Sequence, residues 1–387
     1  MEKVKVSDIL SNSIETYRLD RKLSWKQEKV LNKIINCSTE QMELQQIACT
    51  KDDCNYSQTR RRPCGDRHCN RCNQNKKLKW MKKMMTDFLS VPYHHVVFTL
   101  PEELRNLTIC NQALLYDIFF KSSFNVLNKF GEDRKYFGGK IGFIGLLHTW
   151  GQTLTYHPHI HFMVMSGGIK DATFKKLPYS KKFLFPVKAM SKVMMGEFIE
   201  KLKWNFENGK INFPGKLEAI SSDQKFNNFL YNLSKKHWVI FNKAPLNGTS
   251  RVLDYLARYT HKVAMSNYRI KEYNNSNVVF EYKDYKNKNV DGVSQKKLMS
   301  LSETEFTRRF LLHVLPNGFR KLRYGGIFSS NQKRFAIATL KQFYKSILDK
   351  LNLQFDNWYN EVKKYVEVLC PVCGDKLSIV TIYHNSS

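Results

Sequence analysis

Acidic residues are scarce in this chain of 387 residues: 34 Asp and Glu stand against 63 Lys and Arg, a formal charge of +29. A surface so short of carboxylates carries a positive field, which disfavours cationic ligands and favours a polyanion. Long apolar runs are missing too. Nothing approaches the roughly 20 residues needed to cross a bilayer, and the start MEKVKVSDIL has no apolar signal stretch. A cytoplasmic, nucleoid-associated bacterial protein with no membrane partner is therefore expected. No glycine-rich phosphate-binding loop ending in Lys-Ser or Lys-Thr is present, which argues against a P-loop ATPase. No three separated carboxylates stand out as the ligands of a two-metal phosphoryl-transfer site. Repeats and low-complexity linkers are absent. What is there, 42% hydrophobic and 25% charged residues, describes an ordinary folded chain of two or three domains.

Cysteine is the clustered residue. Six of the nine cysteines fall between residues 37 and 75, and in a reducing compartment such clusters point to metal rather than disulfides. Two pairs, Cys49-x₄-Cys54 and Cys69-x₂-Cys72, make the preferred set for one tetrahedral Zn²⁺ in a zinc-ribbon-like module, with Cys64, Cys37 and His68 as spare ligands. Such a closed site is structural and contributes on the order of 10–16 kcal/mol to folding a module with little core. A second, weaker knuckle, Cys370-Pro371-Val372-Cys373-Gly374, would need partners such as Cys37 or His384 to hold a second zinc. Cys110, on an apolar helix face, is expected in the core. The module's basic residues, among them Arg60, Arg61, Arg62, Arg67 and Arg71, suit neutralisation of DNA phosphates.

Beyond residue 91 the texture changes. HHVVFTL (94–100) reads as a buried strand, about 104–130 as a helix, GKIGFIGLLHTWG (139–151) and HIHFMVM (159–165) as strands joined by a short turn. A helix at 187–206, a strand at 238–244, a helix at 250–261 and a strand at 278–285 follow. The order β-α-β-β-α-β-α predicts an α+β domain: a central antiparallel sheet of ferredoxin-like type flanked by helices. The expected division is an N-terminal zinc and DNA-binding module (1–90), a catalytic domain (91–290) and a mainly helical C-terminal region (291–387).

Two patterns carry chemistry. In Tyr156-His157-Pro158-His159-Ile160-His161, strand geometry puts His159 and His161 on one face, half of a divalent-metal site. His157 shares their parity, with Pro158 between. In TSRVLDYLARYTHKVAMSN (249–267), Tyr255 and Tyr259 lie one helical turn apart beside Arg258 and Lys262. Core stripes normally use Leu, Ile or Phe, whereas tyrosines beside cations fit nucleophiles near phosphate.

These blocks together resemble the rolling-circle transposases of the insertion sequence 91 family, the two-tyrosine HUH type. The stretches CGDRHCNRC (64–72), YHHVVFTLPEEL (93–104), LLHTWGQTL (146–154), HPHIHFMV (157–164), FPVKAMSKV (185–193), WVIFNKAP (238–245), YLARYTHKVAMSN (255–267), GFRKLRYGGIF (318–328) and CPVCG (370–374) run in the family's order along nearly the whole chain. The resemblance implies metal ligands at His159 and His161 and nucleophiles at Tyr255 and Tyr259. It implies Mg²⁺ or Mn²⁺ at the site, and in-line attack of a tyrosine on single-stranded DNA to give a 5′-phosphotyrosine and a free 3′-OH. A third metal ligand is expected from the neighbouring strand; Gln152, nearer the turn, is preferred over His148. Arg258 and Lys262 would supply positive field to the attacking phenol. The implied partners are single-stranded element ends and a target site, and a monomer is compatible. A replication initiator or relaxase, or a non-catalytic zinc-dependent DNA-binding protein, are the alternatives.

Overall fold

The structure, a computed structural model, describes residues 4–72, 92–171, 173–176, 184–243, 262–274, 276–288, 294–329 and 370–383. Two amphipathic helices come first, α1 (Val6–Asp20) and α2 (Trp25–Ile35). Ser24 caps α2, accepting from the Gln27 backbone N–H while the Gln27 side chain reaches back to the Ser24 backbone, a capping box. A hairpin follows, β1 (Leu44–Cys49) and β2 (Ser57–Arg61). Then come β3 (Tyr93–Thr99), α3 (Arg105–Cys110), α4 (Gln112–Glu132), β4 (Gly142–Trp150) and β5 (Tyr156–Met165). A small hairpin, β6 (Gly167–Lys170) with β7 (Thr173–Lys176), leads to α5 (Val187–Glu207), α6 (Asp223–Ser234) and β8 (Ile240–Asn242). The remaining elements are β9 (Ile270–Asn274), β10 (Asn277–Lys288), β11 (Ser294–Ser302), α7 (Glu303–Leu311), β12 (Leu322–Gly326) and β13 (Leu377–Tyr383).

The central sheet has the order β12-β4-β5-β3-β8, with every neighbouring pair antiparallel. The strands β3, β4, β5 and β8 with their crossover helices reproduce the ferredoxin-like order expected from sequence, and β12 adds an edge. One face of this sheet is apolar. Phe143, Leu147, Ile160, Phe162 and Val164 pack with Leu115, Phe119, Phe120 and Leu127 of α4 and with Met190, Met194 and Phe198 of α5. Gly145 is required there: a Cβ on it would fall 2.5 Å from the Phe162 ring. The opposite face carries the polar strand residues.

Two further sheets complete the described molecule. The order β11-β10-β9 forms one, whose inner side chains Val278 and Phe280 pack with Ile270, with Ile9 and Leu10 of α1, and with Phe306 and Phe310 of α7. The other is β13-β1-β2.

Three expectations need correction. Residues 291–387 are not mainly helical where they are described: they supply β11, β12 and β13, because two of these strands find partners far upstream, β4 and β1. Cys110 is exposed at the end of α3 rather than in the core. The helix read across 104–130 is two, divided at Asn111, whose side chain bonds to the Leu107 and Asn212 carbonyls.

Candidate metal and nucleic-acid site

Residues directly opposite on paired strands point to the same face. In the β4–β5 ladder His148 sits opposite His159 and Leu146 opposite His161; in the β3–β5 ladder Val97 sits opposite His161 and His95 opposite Met163. His95, His148, His159 and His161 therefore all project from the face away from α4 and α5. A register shift between His148 and Trp150 places a bulge beside Pro158, so the missing proline N–H costs no ladder bond. His148, His159 and His161 each offer a ring nitrogen within 4.8 Å of the others. Their ring centroids lie 4.8–5.6 Å apart.

The tautomers are partly set. His159 Nδ1 donates to the His157 carbonyl at 2.7 Å, which leaves Nε2 with its lone pair. His95 Nε2 lies 2.9 Å from His161 Nδ1, with the rings stacked 5.2 Å apart. That contact uses one nitrogen of His161 and leaves the other for a ligand. Burial, opposed by the bond to His157, lowers the His159 pKa to about 4. Burial and then the charges of His148, His159, His95 and Lys262 push His161 well below the ordinary histidine range. Burial, then Lys243 and His159, lowers His95 to about 3. At neutral pH these three rings are neutral, the state a metal ligand needs.

Gln152, preferred as third ligand from sequence, is engaged elsewhere. Its Nε2 donates to the Tyr285 hydroxyl at 3.1 Å, and its Oε1 accepts from the Lys283 backbone N–H at 3.4 Å. The side chain that meets His159 is His148, because cross-strand register, not distance from the turn, decides which one does. The turn itself is fixed from outside. Arg269 donates to the Gln152 carbonyl, Arg309 to that of Thr153 and His313 Nε2 to that of Leu154. Leu154 holds a left-handed φ of +58°, strained for a branched residue, and is fully buried against the α1–α7 core.

Positive charge gathers beside the histidines. Lys262 is exposed by area, yet desolvation at its ammonium, then Arg269 and Lys283, lower its pKa. Its charge bears on both His159 and His161. Tyr285 and Tyr268 stand exposed nearby in sequence, at 61% and 68%. Tyr255, Arg258 and Tyr259 lie outside the described residues. Sequence reasoning assigned no role to His95, Arg269 or Lys283. Alternation along HHVVFTL would have found His95, whereas nothing local marks the other two.

The cysteines divide otherwise than predicted. Cys37, Cys64, Cys69 and Cys72 form one cluster, and Cys49, Cys54, Cys370 and Cys373 form another, with the sulfurs of each within 4.8 Å of one another. The preferred set of Cys49, Cys54, Cys69 and Cys72 is therefore corrected: the β1–β2 loop that carries Cys49 and Cys54 meets the C-terminal knuckle, not the Cys69–Cys72 turn. Cys37 belongs with Cys64, Cys69 and Cys72, not with Cys370 and Cys373. In the first cluster, bonds from Cys64 and then Cys69 pull the Cys72 thiol well down, while Cys64 is pushed far up by its own bonds to Cys69 and Cys72. Four sulfurs within 4.8 Å of one another are the donor set of a tetrahedral Zn²⁺ site, so this cluster fits that ion. His68 is no ligand there: it faces Asp66 at 2.8 Å and accepts from the Leu315 N–H at 3.4 Å.

Among the arginines expected to meet DNA, Arg61 donates to the Met42 carbonyl, Arg62 to the Glu43 carboxylate and Arg67 to the Phe319 carbonyl. Arg60 lies on β2 and Arg71 is exposed.

A family model described as "Transposase zinc-binding domain" matches residues 9–100, and one described as "Putative transposase" matches residues 142–334. The "Putative transposase y4qJ" of Sinorhizobium fredii (strain NBRC 101917 / NGR234) is 36% identical over 335 residues, covering 86% of this chain and 82% of that protein. The "Transposase for insertion sequence element IS801" of Pseudomonas savastanoi pv. phaseolicola is 24% identical over 309 residues, 78% of this chain and 70% of that protein. No described helix is long and apolar enough to cross a membrane. With a zinc-binding module joined to an α+β domain that gathers histidines on one sheet face, and with these relatives over most of its length, the chain belongs to the insertion sequence 91 family of transposases.

Proposed function

We propose that this protein is a rolling-circle DNA transposase that nicks and joins single-stranded DNA through a 5′-phosphotyrosine. The observation that carries the reading is the convergence of His148, His159 and His161 on one face of the central sheet. The chain leaves the sheet past β8 at Lys243, whose N–H bonds to the His95 carbonyl. It is next described at Lys262, whose charge reaches His159 and His161. Tyr255 and Tyr259 belong to the segment between.

The three imidazoles would hold a divalent cation, which when bound polarises the scissile phosphate and offsets charge on its oxygens. An all-nitrogen set is softer than the mixed nitrogen and oxygen set expected with Gln152, which favours Mn²⁺ over Mg²⁺. Lys262, desolvated and beside Arg269 and Lys283, gives the phosphodiester a cationic seat and stabilises a developing phenolate. Tyr255 or Tyr259 attacks phosphorus; the new O–P bond replaces the bond to the 3′-oxygen, which leaves and takes up a proton, while the phenol's proton passes to solvent. Tyr268 and Tyr285 offer exposed rings on which unpaired bases stack.

The test uses labelled single-stranded DNA carrying candidate element ends, with Mn²⁺, Mg²⁺ or EDTA, resolved on denaturing gels. The expected result is a covalent adduct that disappears with EDTA, in His161→Ala and in the Tyr255→Phe/Tyr259→Phe double variant. Cleavage without an adduct, or an adduct that survives loss of both tyrosines, refutes the mechanism. Tight binding without cleavage on every substrate returns the protein to the zinc-dependent DNA-binding class.

A further inference from the structure

The module that the family model spans, residues 9–100, does not contain all the cysteines that meet at its sheet. We propose that Cys49, Cys54, Cys370 and Cys373 form a second structural zinc site that clasps the C-terminal knuckle and β13 onto the N-terminal hairpin of β1 and β2. The sulfurs pair across the junction, Cys49 to Cys373 at 3.4 Å and Cys54 to Cys370 at 3.6 Å, and all four lie within 4.8 Å. Tetrahedral Zn²⁺ with bonds of about 2.3 Å sets its sulfurs about 3.8 Å apart, so small shifts complete the shell.

Both halves have knuckle geometry. The Lys51 backbone N–H points at Cys49 Sγ at 3.5 Å. On the other side Gly374, at a φ of +77°, donates to the Cys370 carbonyl at 2.9 Å, and Cys370 donates to the Asp375 carbonyl at 2.7 Å. A side chain with a Cβ would strain that glycine turn.

The independent observation is β13. It pairs antiparallel with β1 from Leu44↔Tyr383 to Cys49↔Leu377, and Thr50 donates through both its N–H and its hydroxyl to the Lys376 carbonyl. Yet Ile379, Val380 and Tyr383 remain 56%, 62% and 48% exposed. A strand that buries so little apolar surface has backbone hydrogen bonds but almost no hydrophobic anchor. Zinc at its root supplies the missing free energy, as metal does for small modules that lack a core. Four cysteine ligands with no open position make this site structural, and it stands independently of the strand-transfer reading.

Zinc content per chain, measured on the reduced full-length protein, tests the pairing. Relative to wild type, Cys373→Ser and Cys64→Ser each lose one zinc. Cys49→Ser/Cys373→Ser also loses only one, because both residues serve the same ion, whereas Cys64→Ser/Cys373→Ser loses two. Unchanged zinc in Cys373→Ser, or loss of two in Cys49→Ser/Cys373→Ser, overturns the proposal. Should serine variants precipitate, cobalt-substituted wild type decides. Thiolate-to-cobalt absorption equal to two four-cysteine sites supports the clasp, and absorption equal to one removes it. None of these outcomes depends on DNA cleavage.

Discussion

The histidine site and the cysteine clusters are both places where this fold gathers side chains able to ligate a metal, but they are built in opposite ways. The histidines stand on adjacent strands of a sheet whose other face is packed by α4 and α5. Their positions follow from register, and burial lowers the pKa of His159 and His161, so the arrangement needs no cation to form. The cysteines sit in turns and at strand ends, four sulfurs at a time within 4.8 Å of one another, and zinc would tie those segments together. Losing the cation should therefore cost the first site its chemistry and the second its structure.

The strongest way to break this contrast is to truncate one ligand of each kind. His161→Ala is expected to lower adduct formation by about 10²–10³-fold, in the range that removing a transition-state-stabilising group costs, while thermal unfolding shifts by only a few degrees. Cys64→Ser should do the reverse to the fold, forfeiting zinc-coupled energy on the order of 10 kcal/mol and loosening α2 and the Cys69–Cys72 turn in hydrogen exchange. Equal unfolding of both variants would remove the distinction.

A finer cut concerns His95, which touches His161 rather than the cation. As a positioning residue, His95→Ala should weaken Mn²⁺ binding about 10–100-fold, measured by electron paramagnetic resonance titration, with recovery in His95→Gln. A purely structural role predicts unchanged Mn²⁺ affinity in the folded fraction.

His313 sharpens the stability side. Burial, opposed by its bond to the Leu154 carbonyl, lowers its pKa to about 4, whereas an unfolded chain titrates it near 6.5. Between those values the unfolded state binds more protons. Stability contributed by the neutral ring is therefore complete above about pH 6.5 and falls as pH drops toward 4, by about 3 kcal/mol in all. Urea unfolding at pH 7 and pH 5 should show a slope that His313→Gln flattens. The smallest expected effect is at the surface: Tyr285→Ala should weaken single-stranded DNA binding by about 1–3 kcal/mol, while duplex binding holds. No change in filter binding would remove Tyr285 from the DNA path.

What could be read from sequence tracks how local each interaction is. Period and turn residues located β3, β4, β5 and α5, and strand parity paired His159 with His161. Choosing His148 over Gln152 needed the register of two strands, which depends on the bulge beside Pro158 and on a turn held by Arg269, Arg309 and His313 from distant segments. The grouping of cysteines was hidden for the same reason. Cys54 is close to Cys69 in sequence, but its neighbour in space is Cys370. Likewise β12 and β13 carry too few alternating residues to announce themselves, since each is completed by a strand more than a hundred residues upstream.

The pairing of β13 with β1 sets a schedule for synthesis. The hairpin of β1 and β2 emerges early from the ribosome, but its third strand is made some three hundred residues later. At about 5–20 residues per second that delay is on the order of 15–60 s. Throughout it, the outer edge of β1 is an unpaired strand, and a polypeptide that stops before Leu377 never covers it. Folding of the N-terminal module is thus coupled to synthesis of a strand made some three hundred residues downstream of it.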